Sequence, residues 1–404
     1  MPAATAIARL EALGAISDDP QHLTRTFLSP ASRQAAELIL TWMSELGMQT
    51  SHSADGTVRG VLAGSNPDAK PLLLGSHYDT VIDAGKYDGP LGIVSALEAL
   101  ETLAEQHVTL PYPVHVLGFS DEEGVRFQTT YLGSRAVIGP LDEATLAAKD
   151  AEGKTLASVI AEEGWHEGAA SIHYAPGSVR GYVELHIEQG RVLEELGQPA
   201  CVVSSIAGQV RLAITLTGHA DHAGTTPMNL RRDALAGAAA CILAAESLAR
   251  SRSQAVITVG KIAVHPGASN SIPQRADFTV DLRHADDGVR TILTTELEKA
   301  FRDIADERGL LLEWRLVQQS AATPCDEALT EHLRNALDSV TNFRGTLVSG
   351  AGHDGVALAS IMPIAMLFIR CREGVSHHPD EYASPEDIGI GIEILTRFLT
   401  HLPA

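Results

Sequence analysis

The sequence predicts an α/β fold in which a discontinuous domain, with a central sheet flanked by helices, is interrupted by an inserted two-layer α+β domain. Two styles of strand support this prediction. Segments 72–74, Val114–Phe119 and Ile364–Ile369 are almost continuous apolar runs, as strands covered on both faces require. Segment 210–216 instead alternates apolar and polar residues, which is typical of a half-exposed antiparallel strand. A length of 404 residues also exceeds what one hydrophobic core usually fills.

The larger domain is predicted from the covered strands and the helix between them. Ile93, Val94, Leu97 and Leu100 have helical spacing, which predicts a helix over 91–103. Strand, helix and strand in this order predict a sheet flanked by helices. Because the covered style of strand returns after residue 320, we expect this domain to comprise residues 1–207 and 321–404.

The inserted domain is predicted from the alternating strands. The alternation recurs over 277–283 and 312–316, and another strand is expected over 256–264. Helical segments near 231–250 and 287–307 separate these strands. The resulting order, β-α-β-β-α-β, is that of a ferredoxin-like two-layer sandwich, which we expect over residues 208–320.

The charge and cysteine content exclude several classes of function. Lys plus Arg is 30 and Asp plus Glu is 51, which gives a net charge of −21. Such an acidic chain repels phosphate backbones and anionic lipids, so neither nucleic acid nor a membrane is an expected partner. The 4 cysteines show no close pairing, and neither a signal sequence nor a membrane-length apolar run is visible. We therefore expect a cytoplasmic protein.

A metal site is predicted at the end of the strand over 72–74. His77 and Asp79 follow this strand, at the carboxyl end where ligands bind in open α/β sheets. Side chains two positions apart on an extended chain point the same way. A carboxylate beside a ligating imidazole usually orients it, so His77 is the expected ligand and Asp79 its support. Asp88 supplies a further acid shortly afterwards.

A pair of adjacent glutamates follows the strand Val114–Phe119. Glu122 and Glu123 on such a loop can take different roles, because one can bind a metal while the other holds a proton. Taken alone, adjacent glutamates are more often a solvated surface pair. Their position at a strand end favours the functional interpretation.

Two histidines complete the set of candidate donors. His186 ends an apolar strand, and His377 follows the strand Ile364–Ile369. Either histidine alone would usually be a core or surface residue. Together with the preceding donors they form a set of nitrogen and carboxylate ligands without thiolate, which suits catalytic zinc, manganese or cobalt. The set is too large for one tetrahedral ion with an open position, but it suits two ions that share a carboxylate.

Seven motifs, in chain order, resemble those of the binuclear metal amidohydrolases of the hydantoinase/carbamoylase branch, within the aminoacylase-like peptidase superfamily. They are GSHYDT (75–80), YDGPLG (87–92), DEEG (121–124), ELHIEQG (184–190), HADHAGTTPM (219–228), SGAGHDG (349–355) and VSHHP (375–379). The branch contains allantoate amidohydrolase, ureidoglycolate amidohydrolase and N-carbamoyl-L-amino acid hydrolase. The resemblance extends from about Arg9 to the last helix.

The resemblance implies a catalytic domain with two divalent metal ions per subunit, zinc, manganese or cobalt. Asp88 would bridge the ions. His77 and His186 would complete the ligands of one ion, and Glu123 and His377 those of the other.

The resemblance also assigns residues that act around the ions. Glu122 would be the general base that takes a proton from the attacking water and passes it to the departing nitrogen. His222 would reach across the interface of a homodimer and stabilise the oxyanion in the partner's site. Asp79, His353 and Asp354 would support the site from outside the ligand set. The inserted domain would then serve as a lid and dimerisation domain.

Further residues would bind the substrate. Asn270 and Arg283 resemble the pair that grips a substrate carboxylate, and the guanidinium fork of Arg283 suits that task. A surface ion pair with an aspartate of its own strand is the competing interpretation of Arg283. Gln189 and Gln209 are weaker candidates for binding the ureido group. Gly352 lies in a glycine-rich loop where the backbone is expected to approach a ligand closely, although a plain turn is the alternative.

The implied reaction is hydrolysis of the terminal C–N bond of a small ureido-carboxylate, with release of ammonia and carbon dioxide. Segments 366–377 and 78–88 favour allantoate as the substrate, or ureidoglycolate. The DGPLG motif at 88–92 also suits N-carbamoyl-L-amino acids, which are the main alternative. A metallodipeptidase would lack the ELHIEQG motif, and a metal-stabilised binding protein would have little need for a second glutamate at 122.

Overall fold

The computed structural model of the protein describes residues 2–403, which fold as two compact units. The first unit holds the chain up to Ser204 and from Cys325 onward, and the second unit is Ser205–Pro324. The assignment of these units as a catalytic domain and a lid or dimerisation domain stays a prediction. Within the described part of the chain, no helix combines the length and apolar character needed to cross a membrane.

The first unit begins with seven helices and six strands. In chain order they are α1 (Pro2–Gly14), α2 (Pro30–Glu45), β1 (Gln49–His52), β2 (Val58–Leu62), β3 (Leu72–His77), α3 (Pro90–Glu105), β4 (Val114–Phe119), α4 (Leu132–Ala136), α5 (Glu143–Leu146), α6 (Leu156–Glu163), β5 (Gly181–Ile187), α7 (Val192–Glu195) and β6 (Ala200–Ile206). The predicted helix over 91–103 is confirmed as α3.

The second unit contains the strands that alternate in sequence. Its elements are β7 (Gly208–Thr217), α8 (Ala234–Arg250), β8 (Val256–Thr258), β9 (Ile262–His265), β10 (Arg275–His284), α9 (Asp287–Glu307), β11 (Leu311–Ser320) and β12 (Thr323–Pro324). The expectation of a single strand over 256–264 is wrong, because two short strands pair with different parts of β10. Helix α8 begins later than predicted, since the Asp233 carboxylate caps it by accepting the Ala236 N–H.

The alternating residues of the second unit form its core. Val210, Leu212, Ile214 and Leu216 of β7 are buried, and so are the apolar residues of β10 beside them. Helices α8 and α9 pack on these strands. The strands follow the order β11-β7-β10-β8, with β9 also on β10, and this sheet covered by two helices is the expected two-layer sandwich.

The chain then returns to the first unit through its last elements. These are α10 (Glu327–Val340), β13 (Thr346–Ser349), α11 (Gly355–Leu358), β14 (Ile364–Ile369) and α12 (Pro385–His401). Helix α12 packs against α1, α3 and α10. Strand β14 is buried along its whole length, as its apolar sequence predicts.

The sheet of the first unit is mixed, and its centre is parallel. Its strands follow the order β1-β2-β4-β3-β5-β14-β6, and β13 pairs with β6. Strands β4, β3, β5 and β14 run parallel to their neighbours in this series. The outer pairs, β2 with β4 and β14 with β6, are antiparallel. Parallel strands end at the same edge of the sheet, so the loops that follow these four strands lie side by side.

Candidate metal centre

The predicted donors meet at the carboxyl edge of the parallel strands. His77 is the last residue of β3, and Glu122 and Glu123 follow the end of β4. His186 is the penultimate residue of β5, and His377 lies on the loop after β14. The strand register places His77 beside Phe119 and His186 beside Phe368. The sheet therefore assembles side chains that lie far apart in sequence.

Asp88 stands between two groups of donors. Its Oδ1 atom lies 3.5 Å from Nε2 of His77 and 3.2 Å from Nε2 of His186. Its Oδ2 atom lies 3.3 Å from Nε2 of His377, and that nitrogen is also 3.3 Å from Oε1 of Glu123. Each carboxylate oxygen thus faces a different group, which is the arrangement a bridging ligand requires.

The two buried histidines present the same ring nitrogen to Asp88. Nδ1 of His77 lies 3.2 Å from both the carboxylate and the carbonyl oxygen of Asp79, and Nδ1 of His186 lies 3.0 Å from the Ile187 carbonyl. An N–H donated to these oxygens leaves the Nε2 lone pair free to bind a cation. Nε2 of His186 has no hydrogen-bond partner although it is buried.

Asp79 also connects the histidine strand to the glutamate loop. Its Oδ1 accepts the backbone N–H of Glu122 at 2.9 Å, and its Oδ2 accepts that of Glu123 at 3.2 Å. The side chain is 1% exposed, so these bonds lie away from water. Asp79 therefore contacts His77 and also fixes the backbone of the two glutamates, while its role as the support of a metal ligand stays a prediction.

Gly89 lets the Asp88 loop approach His77. Its φ of +83° favours glycine, and a Cβ atom at this position would lie 2.5 Å from the His77 ring. Helix α3 starts directly afterwards with Pro90, a residue well suited to a first helical position. The loop is thus held close to β3 and then continued by a rigid helix.

The site concentrates buried negative charge. Burial and the neighbouring charge of Glu123 raise the pKa of Glu122 well above its usual value. Burial and nearby carboxylates likewise raise the pKa of Asp121 and Asp354 well above theirs. Carboxylate oxygens of Asp121, Glu184 and Asp354 are buried without hydrogen-bond partners. A cation bound here would offset this excess of negative charge.

Two triads of donors are therefore candidates for holding a divalent ion. One ligand atom from each of His77, Asp88 and His186 lies within 4.8 Å of the others, and the same holds for Asp88, Glu123 and His377. Both triads offer nitrogen and carboxylate oxygen only, which suits zinc, manganese or cobalt. The sequence-predicted ligands are thus all brought together.

The glycine-rich loop over 349–355 packs against one of the predicted metal ligands. The His353 ring packs edge-on against His186 at 4.6 Å between ring centres, and its Nε2 lies 2.7 Å from the Ser349 hydroxyl. Burial and the neighbouring His186 hold the pKa of His353 well below its usual value. A Cβ atom at Gly352 would overlap the Tyr131 hydroxyl. This contact restricts position 352 to glycine, while the predicted approach of its backbone to a ligand stays a prediction.

Gln189 contacts the bridging residue directly. Its Nε2 donates to Oδ2 of Asp88 at 2.7 Å. Its Oε1 is buried without a partner. The structure therefore gives Gln189 a role in holding Asp88, while its predicted contact with a ureido group stays a prediction.

The remaining candidates belong to the second unit and form two pairs. Gln209 and Arg283 are cross-strand neighbours of β7 and β10, and Arg283 makes a two-fold hydrogen bond with Asp281. His222 pairs with Ser271, and the Asn270 carbonyl accepts the Ala223 N–H. The first pair lies at one end of the β7–β10 ladder and the second lies beyond the other end.

This separation bears on how Asn270 and Arg283 could bind one substrate carboxylate. The eight steps from Arg275 to Arg283 alone span roughly 26 Å of extended strand. Asn270 lies beyond Arg275, so within one chain the two residues lie at opposite ends of this ladder, and their binding of one carboxylate stays a prediction. The residue types of Asn270 and Arg283 are visible in the sequence, but the register of β7 with β10, which separates them, is not.

Sequence reasoning missed several buried polar residues of the site. Glu381 accepts the backbone N–H groups of Tyr87 and Asp88, and Ser376 donates to Oδ2 of Asp88. Asp121 and Glu184 lie inside the motifs that were identified but were given no role. A signal was available for Ser376, which directly precedes His377, and for Asp121 and Glu184, which stand two residues before Glu123 and His186.

Comparison with known proteins identifies the family. Residues 73–401 match peptidase family M20/M25/M40. The chain belongs to this family. A probable allantoate deiminase of Oryza sativa subsp. japonica is 42% identical to this chain over an alignment of 427 residues. The alignment covers 97% of this chain and 87% of that protein.

One further relative and one solved structure are also similar to this chain. An N-carbamoyl-L-amino acid amidohydrolase of Geobacillus stearothermophilus is 40% identical, over 96% of this chain and 95% of that protein. The crystal structure of a hydantoinase/carbamoylase family amidase from Burkholderia multivorans superposes with a TM-score of 0.92 at 32% identity, and covers 98% of this chain and 97% of that one. The α/β fold and the resemblance seen in the sequence are confirmed.

Proposed function

We propose that this chain is a metal-dependent amidohydrolase that hydrolyses the terminal ureido C–N bond of allantoate. The observation that carries the proposal is the Asp88 carboxylate, whose two oxygens face two separate groups of donors while Glu122 remains buried beside them. The 42% identity to a probable allantoate deiminase supports the choice of substrate.

Two divalent ions, zinc, manganese or cobalt, are part of the proposal. His77 and His186 would hold one ion, Glu123 and His377 would hold the other, and Asp88 would bridge them. When bound, such ions lower the pKa of water and polarise a carbonyl group.

Glu122 has the position of a proton carrier. Its carboxylate offers an oxygen within 4.8 Å of ligand atoms of His77 and Glu123. It would take a proton from the water that attacks the ureido carbon and deliver it to the departing nitrogen. One water and one ureido group then give an amine, ammonia and carbon dioxide.

The second unit would bind the substrate and complete the site from two chains. Arg283 would grip the substrate carboxylate with its guanidinium group, which makes a two-fold hydrogen bond with Asp281 in the structure and would have to exchange or share that partner. Since His222 and Asn270 lie at the opposite end of the ladder, a substrate that contacts them as well as Arg283 needs a second copy of the chain. We therefore infer a homodimer in which His222 stabilises the oxyanion in the partner's site.

A cytoplasmic location completes the proposal. All 4 cysteines are free, and Cys201, Cys241 and Cys371 are buried. Free thiols are typical of a reducing compartment.

Hydrolysis of N-carbamoyl-L-amino acids is the second candidate function. The 40% identity to an N-carbamoyl-L-amino acid amidohydrolase favours it, because that protein aligns over almost its whole length. The two candidate substrates share a ureido group and a carboxylate, so the same residues would bind both.

The deciding experiment measures ammonia release from allantoate, ureidoglycolate and several N-carbamoyl-L-amino acids. The protein is stripped of metal and reloaded separately with zinc, manganese or cobalt, and the bound metal per chain is determined for each preparation. We expect the highest kcat/KM with allantoate and two ions per chain. A higher value with an N-carbamoyl-L-amino acid would establish the second candidate, and no ammonia with any metal would contradict both.

A further inference from the structure

Glu381 is a buried acid that links two loops of the metal centre. It lies four residues after His377, and its side chain is 3% exposed. Its Oε1 atom accepts the backbone N–H of Tyr87 at 2.8 Å and that of Asp88 at 3.0 Å. These bonds join segments that are 294 residues apart in sequence.

The second oxygen of Glu381 is connected to Asp88 through a hydroxyl group. Its Oε2 lies 3.0 Å from Oγ of Ser376, which donates to Oδ2 of Asp88 at 2.6 Å. The backbone and the side chain of Asp88 are therefore both connected to Glu381. Ser376 directly precedes His377, so the same contacts also fix the start of the His377 segment.

The surroundings are shaped to accept this side chain. A Cβ atom at Gly85 would overlap the Glu381 side chain, so the turn before Asp88 closes tightly around the carboxylate. His377 has a φ of +56°, which non-glycine residues rarely adopt. A conformation of this kind persists only where neighbouring contacts enforce it. Glu381 supplies such contacts a few residues away.

We propose that Glu381 is a positioning residue that holds the Asp88 loop against the His377 loop and thereby sets the distance between the two metal positions. The proposal rests on the proposed binuclear function. Glu381 touches none of the predicted ligand atoms directly. It acts through the Asp88 amide and the Ser376 hydroxyl.

The physical consequence concerns metal affinity more than folding. Without the carboxylate, two amide groups lose their acceptor and the Ser376 hydroxyl loses a hydrogen-bond partner, and the Asp88 loop can move away from His377. Outer contacts of this kind usually change metal affinity by about 10- to 100-fold. The ion between Glu123 and His377 should be affected most, because it depends on both loops.

The test compares Glu381→Ala with Glu381→Gln. Glutamine keeps an oxygen for the two amides and offers an N–H group to Ser376, so it should preserve the link. Affinities for Zn²⁺, Mn²⁺ and Co²⁺ are measured by competition with a chelator on full-length metal-free protein. We expect Glu381→Ala to lose about 10- to 100-fold for the weaker-bound ion and Glu381→Gln to remain within about threefold of the unmodified protein.

Asp380→Ala is the matched control. Asp380 is adjacent in sequence, its side chain is 80% exposed, and it pairs only loosely with His378 at 3.5 Å. This variant should bind metal like the unmodified protein. The proposal is overturned if Glu381→Ala stays within threefold of the unmodified protein, or if Glu381→Gln loses as much affinity as Glu381→Ala.

Ser376→Ala keeps the proposal testable if Glu381→Ala does not fold. It removes only the hydroxyl link and leaves both amide bonds in place, and we expect a loss of at least about threefold in affinity. An unchanged metal affinity of Ser376→Ala would by itself overturn the positioning role of Glu381. If the unmodified protein itself binds no divalent ion, the proposed function fails and this proposal fails with it.

Discussion

The Asp79 carboxylate accepts the backbone N–H of Glu122 at 2.9 Å, so the residue that orients a predicted metal ligand also fixes the predicted general base. One buried side chain thus connects the ends of β3 and β4. Changes at Asp79 should therefore affect metal binding and proton transfer together.

Replacing Asp79 with Asn should weaken metal binding. The asparagine NH₂ group would face the backbone N–H group of Glu122 or Glu123, where the carboxylate now accepts a hydrogen bond. His77 would also lose its anionic partner. We expect a loss of about 10- to 100-fold in metal affinity, measured by chelator competition. Asp83→Asn is the control, since Asp83 is 44% exposed and pairs with His22 outside the centre. An Asp79→Asn protein with affinity within twofold of the original would contradict this prediction.

Replacing Glu122 with Gln should abolish turnover without removing metal. The amide cannot carry a proton, whereas the predicted ligands are unchanged. We expect kcat to fall by at least about 10²-fold while the metal content per chain stays the same. Metal analysis and steady-state kinetics on one preparation check both parts. Near-normal turnover with full metal content would refute the general-base assignment.

Mixing two inactive variants should restore activity if the site is shared between chains. In a mixed dimer of His222→Ala and Arg283→Ala, one site has both residues intact and the other has neither. After random exchange of subunits we expect about a quarter of the original activity, as the symmetry of a two-fold dimer dictates. Each variant incubated alone is the control. A mixture that stays inactive after verified exchange, or a fully active monomer, would rule out the shared site.

The imidazole of His115 should make stability depend on pH. Burial and the charge of Arg59 lower its pKa to about 4, and its Nδ1 lies 2.8 Å from the Tyr174 hydroxyl. The unfolded chain takes up the proton first as the pH falls. The contribution of neutral His115 is therefore complete above about pH 6.5 and is lost progressively toward pH 4.

Urea unfolding at several pH values measures this effect. Between about pH 6.5 and 4, the free energy of unfolding should fall less steeply for His115→Gln than for the original protein. Allowing for partial exposure, we expect the curves to differ by about 2 kcal/mol over this range. Parallel curves would show that His115 does not titrate as described.

Much of the fold follows from patterns that are local in sequence. Strands β3, β4 and β14 are recognisable because residues buried on both faces must be continuously apolar. Strands β7 and β10 are recognisable because one face is exposed. The run over 256–264 predicts one strand, but its apolar residues do not reveal that β8 and β9 pair with different parts of β10.

The gathering of candidate donors was predictable where they stand at or just after the ends of parallel strands. His77 and His186 are of this kind. The contacts of Gln189 were not predictable, because its φ of +56° turns the side chain in a direction that spacing along the chain does not encode. The link from Glu381 to Tyr87 was also hidden, since it depends on two loops meeting across the sheet edge.

The place of β14 in the sheet determines when the metal centre can be completed during synthesis. Strand β14 lies between β5 and β6, yet it is made only after the whole second unit. The second unit is inserted between Ser204 and Cys325, and the Cys325 N–H donates to the Ser204 carbonyl at 3.0 Å. Because both ends of the insertion meet, the second unit can fold before β14 has been made and has paired with β5 and β6. A growing chain therefore lacks His377, and with it one of the two proposed metal positions, until its last elements arrive.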